Sequence, residues 1–357
     1  MINQHRLDFL DGLRGFAILM VVCLHYFAQV EHVPRSEFYN VHTPLRYGDF
    51  GVQLFFVISG YVIFMTLDKT ANFTQFILRR WIRLFPAMLI CTLIIAAASY
   101  FVPYRPGGIP RLIDVFPGLT FLGAHLVSGI SGIPTDGLER GFWTLYIEFR
   151  FYLMFGAAYF LLGQRKSFFT LMFLSIVLLC LFQITQLWMT AYTSKGEALF
   201  AKALLGYQLP WFLLGMYVYL FEFKQHIYLA FLLVGNALVY NLGEWGASVA
   251  ALVIVLIVYL AFTAPWFQKV CRMKLFLFFG FISYPLYLLN DSLGRGIIRG
   301  SYEYFAGRVP FELLPFVALS IIVLPTWCVA KYVEPPIQRL LKRVLLRRNA
   351  MKVTASI

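Results

Sequence analysis

The strongest constraint on the fold is a succession of apolar runs of about 20 residues, the length that an α-helix needs to cross a bilayer. They occur at 12–30, 50–67, 84–103, 144–162, 168–187, 203–221, 226–242, 247–265, 275–293 and 313–330. Hydrophobic residues make up 60% of the chain and charged residues only 13%, against about a quarter in soluble domains. The sequence therefore predicts an all-α, polytopic transmembrane helical bundle of about ten spans.

Two segments are expected to lie beside the membrane rather than across it. The stretch 112–128 is apolar but short, and Pro117 and Gly118 interrupt it, which predicts a re-entrant or interfacial piece. The residues 336–357 form a basic tail that we expect to lie as an amphipathic helix on anionic lipid. The remaining residues, 1–335, are predicted to form the integral membrane domain.

The basic residues are distributed unequally between the two sides of the predicted membrane. Ten spans put both termini on one side, and the loops and tails there hold 18 Lys and Arg residues, against ten in the opposite loops. By the positive-inside rule, both termini are predicted to be cytoplasmic. The net charge of +13 therefore follows from topology, so the bilayer is the expected partner and nucleic acid is not.

Several kinds of chemistry have no support in the sequence. The five cysteines are scattered, with no CxxC pair and no metal-ligand spacing, so we assign them to packing and predict no metal site. There is no P-loop, HExxH, GxSxG or dinucleotide-binding fingerprint. ATP hydrolysis, zinc proteolysis and nicotinamide chemistry are therefore not expected.

The first predicted span carries two ionisable residues, which are costly in a membrane and mark a candidate site. Arg14 and His25 are 11 positions apart, so they share one stripe of the helix and lie about 16 Å apart along its axis. We expect both to face the same cavity. The alternative for His25 is a neutral histidine hydrogen-bonded between helices.

Glu148 is expected at the same depth as His25, near the outer end of the span 144–162. A carboxylate beside an imidazole fixes its tautomer and raises its basicity, which would make His25 a general base for a hydroxyl. The alternative is a structural partnership with Arg150, although residues two apart do not face each other on a helix. Tyr152 shares the face of Glu148.

Further polar residues complete the candidate set. Arg80 and Arg83 share a helical face and together suit a phosphate, although ordinary positive-inside charge also explains them. Ser59 lies within the second span on a stripe with Gly51, where close helix packing is the simpler interpretation. The polar residues expected towards the outer side of the membrane are Asp49, Asn290 and Asp291.

Taken together, five segments resemble motifs of the membrane acyltransferase-3 family. In chain order they are DGLRGFAILMVVCLHYF, GVQLFFVISGY, RRWIRLFPA, FWTLYIEFRFYL and ISYPLYLLN. The resemblance runs from Arg6 to about Asn290. One position departs from the family, which commonly has His where this chain has Asn290. An asparagine side chain can form hydrogen bonds but cannot act as a base.

The resemblance implies an integral membrane O-acyltransferase of the bacterial inner membrane, with acetyl-CoA or another acyl-CoA as co-substrate. Its members transfer acyl groups, usually acetyl, to glycans and other envelope or secreted molecules. The implied catalytic residue is His25, with Arg14 as its motif partner and Glu148 beside it. Arg80 and Arg83, with Ser59, would contact acyl-CoA. The candidate contacts for the acceptor are Asp49, Asn290 and Asp291.

The predicted acceptor is a hydroxyl of a surface polysaccharide, such as lipopolysaccharide O-antigen, exopolysaccharide or a lipid-linked glycan, on the periplasmic side. Direct attack on the thioester is favoured over an acyl-histidine intermediate. Two other functions remain open. One is acyl transfer to a secreted small molecule. The other is a secondary transporter that uses the same charged residues as a substrate or proton path.

Overall fold

The computed structural model describes residues 5–192, 207–239, 241, 244–305 and 308–346. Within these residues every regular element is helical, which confirms the all-α prediction. The α-helices are α1 His5–Cys23, α2 Pro34–His42, α3 Phe50–Leu67, α4 Phe73–Ala98, α5 Leu112–Thr120, α6 Ala124–Ser131, α7 Trp143–Leu162, α8 Gln164–Tyr192, α9 Leu209–Phe221, α10 Ile227–Val239, α11 Trp245–Thr263, α12 Pro265–Cys271, α13 Lys274–Leu289, α14 Arg295–Tyr304, α15 Leu314–Cys328 and α16 Glu334–Leu341.

Shorter helical segments connect or extend these helices. Short π-helical segments occur at Leu24–Ala28, Asn290–Gly294, Val329–Val333 and Lys342–Leu346. The 3₁₀ segments are Pro44–Tyr47, Arg140–Phe142 and Phe311–Leu313. The π segments continue the axes of neighbouring α-helices, so α15 and α16 belong to one helical run, Phe311–Leu346.

Seven helical segments of the described residues are long and apolar enough to cross a membrane, which makes this a multi-pass membrane protein. They are Asp8–Ala28, Pro44–Leu67, Phe73–Ala98, Arg140–Leu162, Gln164–Leu181, Trp245–Thr263 and Phe311–Leu346. The helix α12 meets the segment Lys274–Tyr304 at a bend of 62°. If these two segments are counted as one broken span, the described residues contain eight.

The two other predicted spans, 203–221 and 226–242, correspond to α9 and α10. Each of these helices has 13 described residues, or about 20 Å, which is less than the hydrocarbon core of a bilayer. Part of each predicted run falls outside the described residues. The total of ten spans and the cytoplasmic location of both termini therefore stay predictions.

The stretch 112–128, predicted to be re-entrant or interfacial, forms the short helices α5 and α6. They have nine and eight residues, so neither is long enough to cross a membrane. Phe121 ends α5 in a left-handed conformation with φ of 56°, which turns the chain before α6 begins.

Close helix contacts bring the site-bearing helices together. α1 packs against α3 and α13, and glycines allow their backbones to touch. A Cβ atom at Gly280 would lie 1.9 Å from the Asp11 carbonyl oxygen, and one at Gly51 would lie 2.4 Å from the Ala17 oxygen. Gly51 therefore packs closely against α1, as predicted. Together, the close contacts at Gly51 and Gly280 hold α3 and α13 against α1.

The C-terminal helix α16 crosses the domain boundary expected at residue 335. It packs on α4, where the Gln338 side-chain amide donates a hydrogen bond of 3.4 Å to the Arg83 carbonyl oxygen. The described part of the predicted tail, 336–346, therefore lies against the helical bundle.

Candidate active site

One end of the bundle holds a basic cavity of about 680 Å³, called here the arginine cavity. Its charged lining residues come from α1, α4 and the C-terminal helical run, and they are Arg14, Arg79, Arg80, Arg83, Glu334 and Lys342. Five cations against one carboxylate create a positive potential that attracts an anionic ligand. The cavity is therefore suited to phosphate groups.

The two arginines predicted to bind phosphate have different surroundings. Arg80 is only 3% exposed, and its Nη2 donates to the Val62 carbonyl at 2.9 Å and to the Thr66 hydroxyl at 2.7 Å. Its Nε is buried without a hydrogen-bond partner among the described residues. The side chain of Arg83 makes no hydrogen bond to another described residue, so it is the more available of the two for a ligand.

Glu148 lies at a narrow cavity of about 80 Å³, called here the central cavity. Its Oε1 accepts hydrogen bonds from the Ser59 hydroxyl at 2.6 Å and from the Tyr152 hydroxyl at 2.5 Å. The ring of Tyr152 lies against the Arg80 guanidinium, at 5.1 Å from its carbon to the ring centroid. Glu148 is thus linked to the arginines through Tyr152.

The other end of the bundle holds a cavity of about 660 Å³, called here the histidine cavity. His25 lines it, together with charged residues of both signs and with Trp143, which is 45% exposed. The charged lining residues are Glu31, Glu37, Asp49, Arg140, Asp291 and Arg295. A cavity with so many donors and acceptors is suited to a polar ligand rich in hydroxyl groups.

The three cavities share lining residues and so form a series through the bundle. Arg14 and Arg83 line both the arginine cavity and the central cavity. Val52 and Tyr287 line both the central cavity and the histidine cavity. The central cavity therefore lies between the arginine cavity and the cavity that His25 lines.

The protonation of His25 follows from its contact with Asn290. The Asn290 amide nitrogen donates to the carbonyl oxygens of Leu286 and Tyr287, both at 2.9 Å, which fixes the orientation of the amide. Its Oδ1 then faces Nδ1 of His25 at 2.6 Å. An amide oxygen can only accept, so Nδ1 carries the proton and the neutral ring keeps a lone pair at Nε2.

Both partners of this hydrogen bond lie on π-helical segments. His25 is on Leu24–Ala28 at the end of α1, and Asn290 begins Asn290–Gly294 at the end of α13. A π segment inserts a residue into the helical repeat and redirects the side chains near it, and such segments are frequent at functional sites. Here the two segments turn an imidazole and an amide towards each other.

Ion pairs surround this histidine and asparagine. Arg295 is 2.6 Å from Asp291 and 3.8 Å from Glu31, and Arg140 is 3.6 Å from Glu31. Asp291 is only 6% exposed, and its carboxylate interacts electrostatically with His25, Arg295 and Arg140. Asp49, which precedes α3, is exposed at the cavity surface and is open to a ligand.

A buried network fixes the π segment that begins with Asn290. Arg105 donates to the Ser292 hydroxyl at 2.8 Å and forms an ion pair of 3.1 Å with Glu139, and the Ser292 hydroxyl donates to Glu139. The Arg105 and Glu139 side chains are 1% and 2% exposed. Burial raises the pKa of Glu139 to about 7, and the neighbouring Asp291 adds to the rise.

Two expectations about the catalytic residues are corrected by these contacts. Glu148 does not orient His25: its carboxylate bonds Ser59 and Tyr152, whereas Asn290 bonds the imidazole. Arg14 does not line the histidine cavity, because 11 residues of helix separate it from His25 by about 16 Å. Instead it lies at the arginine cavity, 2.9 Å from Asp11.

Other predicted residues do lie together. Arg80 and Arg83 line one cavity, while Asp49 and Asp291 line the histidine cavity. Ser59 lines the central cavity and not the arginine cavity.

The sequence interpretation missed two parts of the site. One is the orienting function of Asn290, which was expected only to contact the acceptor. The other is the cavity-lining face of the C-terminal helix, where Glu334, Gln338 and Lys342 follow one another at four-residue intervals. That spacing was a usable signal, since residues four apart share a helical face.

The profile of a family described as an acyltransferase domain matches residues 7–332, nearly the whole chain. The chain belongs to the acyltransferase-3 family. This confirms the resemblance seen in its motifs.

Individual relatives agree with the family assignment. An O-acetyl transferase of Shigella phage Sf6 is 25% identical over 233 residues, which cover 58% of this chain and 65% of the relative. The acyltransferase MdmB of Streptomyces mycarofaciens is 31% identical over 42% of this chain and 38% of its own length. The peptidoglycan O-acetyltransferase OatA of Listeria monocytogenes is 27% identical over 42% of this chain and 23% of its own length.

These alignments are partial, since each covers less than two thirds of the relative's length. No solved structure matches the chain.

Proposed function

We propose that this protein is an O-acyltransferase that moves an acetyl or other acyl group from acyl-CoA to a hydroxyl of a surface polysaccharide. The observation that carries the proposal is the series of three cavities. It begins among arginines suited to a phosphorylated donor and ends at His25, whose tautomer Asn290 sets for general-base catalysis. Membership of the acyltransferase-3 family supports it.

On the donor side, acyl-CoA combines an anionic nucleotide with a long, unbranched thioester arm. The phosphates suit the arginine cavity, where Arg83 is more available to a ligand than Arg80. The central cavity, at about 80 Å³, has roughly the share of liquid volume of three water molecules. It is too small for the nucleotide, so in this proposal only the thioester end of the arm enters it, towards His25, while the phosphates stay in the arginine cavity.

The proposed orientation follows from the charge distribution. Acyl-CoA is a cytoplasmic metabolite, and the basic loops and the arginine cavity lie at the same end of the predicted topology. The histidine cavity would then open to the periplasmic side of a bacterial inner membrane. The acceptor would not need to cross the membrane to be acylated.

Transfer would proceed by direct attack at the boundary between the central and histidine cavities. The Nε2 of His25 accepts the proton of the acceptor hydroxyl as its oxygen attacks the thioester carbonyl carbon. The tetrahedral intermediate collapses with cleavage of the carbon–sulfur bond. The imidazolium then returns the proton to the departing CoA thiolate, and the products are the ester and free CoA.

The acceptor is proposed from the lining of the histidine cavity. Carboxylates, guanidinium groups and an imidazole offer hydrogen bonds to several hydroxyls, and Trp143 presents an apolar ring face. This combination fits a sugar, and lipopolysaccharide O-antigen, exopolysaccharide or a lipid-linked glycan would supply one. The name of the Listeria relative, a peptidoglycan O-acetyltransferase, supports transfer to a glycan, and the name of the phage relative supports O-acetyl transfer.

The test is mass spectrometry of the host's surface polysaccharide in a deletion strain complemented with wild type, with His25→Ala or with the empty vector. Immunoblots of membrane fractions verify equal insertion. We expect an alkali-labile acetyl increment with wild type only. An identical glycan in all strains would contradict the polysaccharide acceptor. Secreted small molecules would then be examined for the same increment.

A second assay separates enzyme from transporter. Purified protein in vesicles is supplied with radiolabelled acetyl-CoA and an extracted acceptor, and both labelled ester and free CoA are measured. We expect one CoA released for each ester formed. Solute flux without ester formation would indicate the secondary transporter and refute the proposed function.

A further inference from the structure

We propose that the C-terminal helical run is part of the donor site, and that Lys342 binds a phosphate of acyl-CoA. This inference rests on the proposed function and adds to the donor site a helix that the arginine motif does not contain. It also gives the basic tail, expected from the sequence to lie on lipid, a function in substrate binding.

The first argument is the geometry of the helix. Glu334, Gln338 and Lys342 lie at four-residue intervals on one face of the helical run, and all three line the arginine cavity. Leu340 and Val344, on another face, are 61% and 52% exposed. The run is therefore amphipathic, with its polar face covering the cavity and its apolar face turned outwards.

The second argument is that this face is held in place. Gln338 donates to the Arg83 carbonyl oxygen at 3.4 Å and to the Glu334 carboxylate at 2.7 Å. The first of these bonds connects the helix to α4, which carries the arginine motif, and the second lies within the helix. Lys342 is one turn beyond Gln338, so these bonds position its backbone beside the cavity that its side chain lines.

The third argument is the charge that a CoA nucleotide brings. Its pyrophosphate and its ribose phosphate together carry more oxygen atoms than two guanidinium groups can pair with. The Nη2 of Arg80 is bonded to α3 and Arg14 is paired with Asp11, which leaves Arg79 and Arg83 as the more available arginines of the cavity. Lys342 forms no ion pair with any other described residue, so its ammonium is available.

The experiment compares Lys342→Gln with Arg339→Gln. Both variants remove one positive charge from the same helical run, but Arg339 does not line the arginine cavity. Full-length protein is reconstituted in vesicles without anionic lipid, and the KM and kcat for acetyl-CoA are measured. We expect Lys342→Gln to raise the KM about tenfold with little change in kcat, since a charge-assisted hydrogen bond is lost. Arg339→Gln is expected to match wild type.

A binding measurement gives a readout independent of turnover. CoA and pantetheine, which lacks the phosphates, are each added, and the shift in thermal unfolding temperature is recorded. Lys342→Gln should reduce the shift caused by CoA and leave that caused by pantetheine unchanged. A loss of both would mean a general disturbance of the fold, which contradicts the proposal.

The remaining outcomes are also decisive. Equal KM values for the two variants would overturn the assignment of Lys342. An effect of Lys342→Gln that appears only when anionic lipid is added would assign the residue to the membrane surface instead. If wild type forms no ester and CoA does not shift its unfolding, the proposed function itself fails, which is a different result from equal variants.

Discussion

Replacing Asn290 with Leu should slow acyl transfer while leaving donor binding intact. Leucine is close to asparagine in size but has no oxygen to accept the Nδ1 proton of His25, which lies 2.6 Å from Oδ1 in the native protein. Without that acceptor the imidazole can carry its proton on either nitrogen and can rotate. Part of the population then presents an N–H, and not a lone pair, to the acceptor hydroxyl.

The size of the effect follows from the burial of this pair. Asn290 is completely buried, so no water replaces the lost acceptor, and leaving a buried donor unpaired costs about 1–3 kcal/mol. Each 1.36 kcal/mol changes a rate about tenfold, which predicts a fall in kcat of roughly 5- to 150-fold. The KM for acyl-CoA should change little, because the site that we propose for the donor phosphates is the arginine cavity, which Asn290 does not line.

The assay is initial-rate ester formation by purified protein in vesicles, with three comparisons. Asn290→Asp keeps an oxygen acceptor and should retain more activity than Asn290→Leu. His25→Gln sets the baseline without a base. Thr326→Val controls for the loss of a buried side chain to backbone hydrogen bond, since Thr326 bonds the Val323 carbonyl at 2.7 Å and lines none of the three cavities.

Two results would refute the reasoning. One is an unchanged kcat for Asn290→Leu, since the tautomer would then not depend on this contact. The other is equal loss in Asn290→Asp and Asn290→Leu, which would show that the oxygen acceptor is not the property that matters.

Three further changes test other parts of the structure. Gly280→Ala places a methyl group 1.9 Å from the Asp11 carbonyl oxygen, so overpacking should lower the free energy of unfolding by about 1–3 kcal/mol. Thermal unfolding measures this change, and unchanged stability would contradict the close α1–α13 contact. Arg83→Gln should raise the KM for acyl-CoA at least tenfold, whereas the surface control Arg111→Gln should leave it unchanged. If the two variants have equal KM values, Arg83 does not belong to the donor site. Ser292→Ala leaves the buried Glu139 without its hydroxyl donor, so we expect the free energy of unfolding to fall by about 1–3 kcal/mol and the segment 99–139 to be cleaved faster by proteases. Cleavage at the native rate would contradict a stabilising function of the Ser292–Glu139 hydrogen bond.

The sequence predicted the helices well because membrane spans are set by a local property, the length of an apolar run. It also identified His25 as a candidate, because a titratable group inside an apolar run is costly and therefore stands out, and Arg80 and Arg83, because they share a helical face. These inferences need only one helix at a time. They use neither the order in which helices pack nor the rotation of one helix against another.

Contacts between helices were beyond the reach of the sequence. Glu148 was placed beside His25 because the two have similar depths, yet depth does not say which helices are neighbours. The partner of His25 is 265 residues away, and two π-helical segments bring the pair together. Regular 3.6-residue periodicity cannot anticipate those segments, because each adds a residue that shifts the register.

The location of Glu148 argues against a direct part for its carboxylate in the proton transfer that we propose for His25. The carboxylate interacts electrostatically with Arg14, Arg80 and Arg83, so it supplies the negative charge that this buried cluster needs when no donor phosphate is bound. Its Oε1 already accepts hydrogen bonds from two hydroxyl groups, and among the described residues no hydrogen bond joins Glu148 to His25. A carboxylate that balances arginines and is bonded in this way is a poor base for an acceptor arriving at the opposite end. The imidazole is the better candidate for the base that we propose, because it lines the histidine cavity and its contact with a neutral amide leaves Nε2 unprotonated.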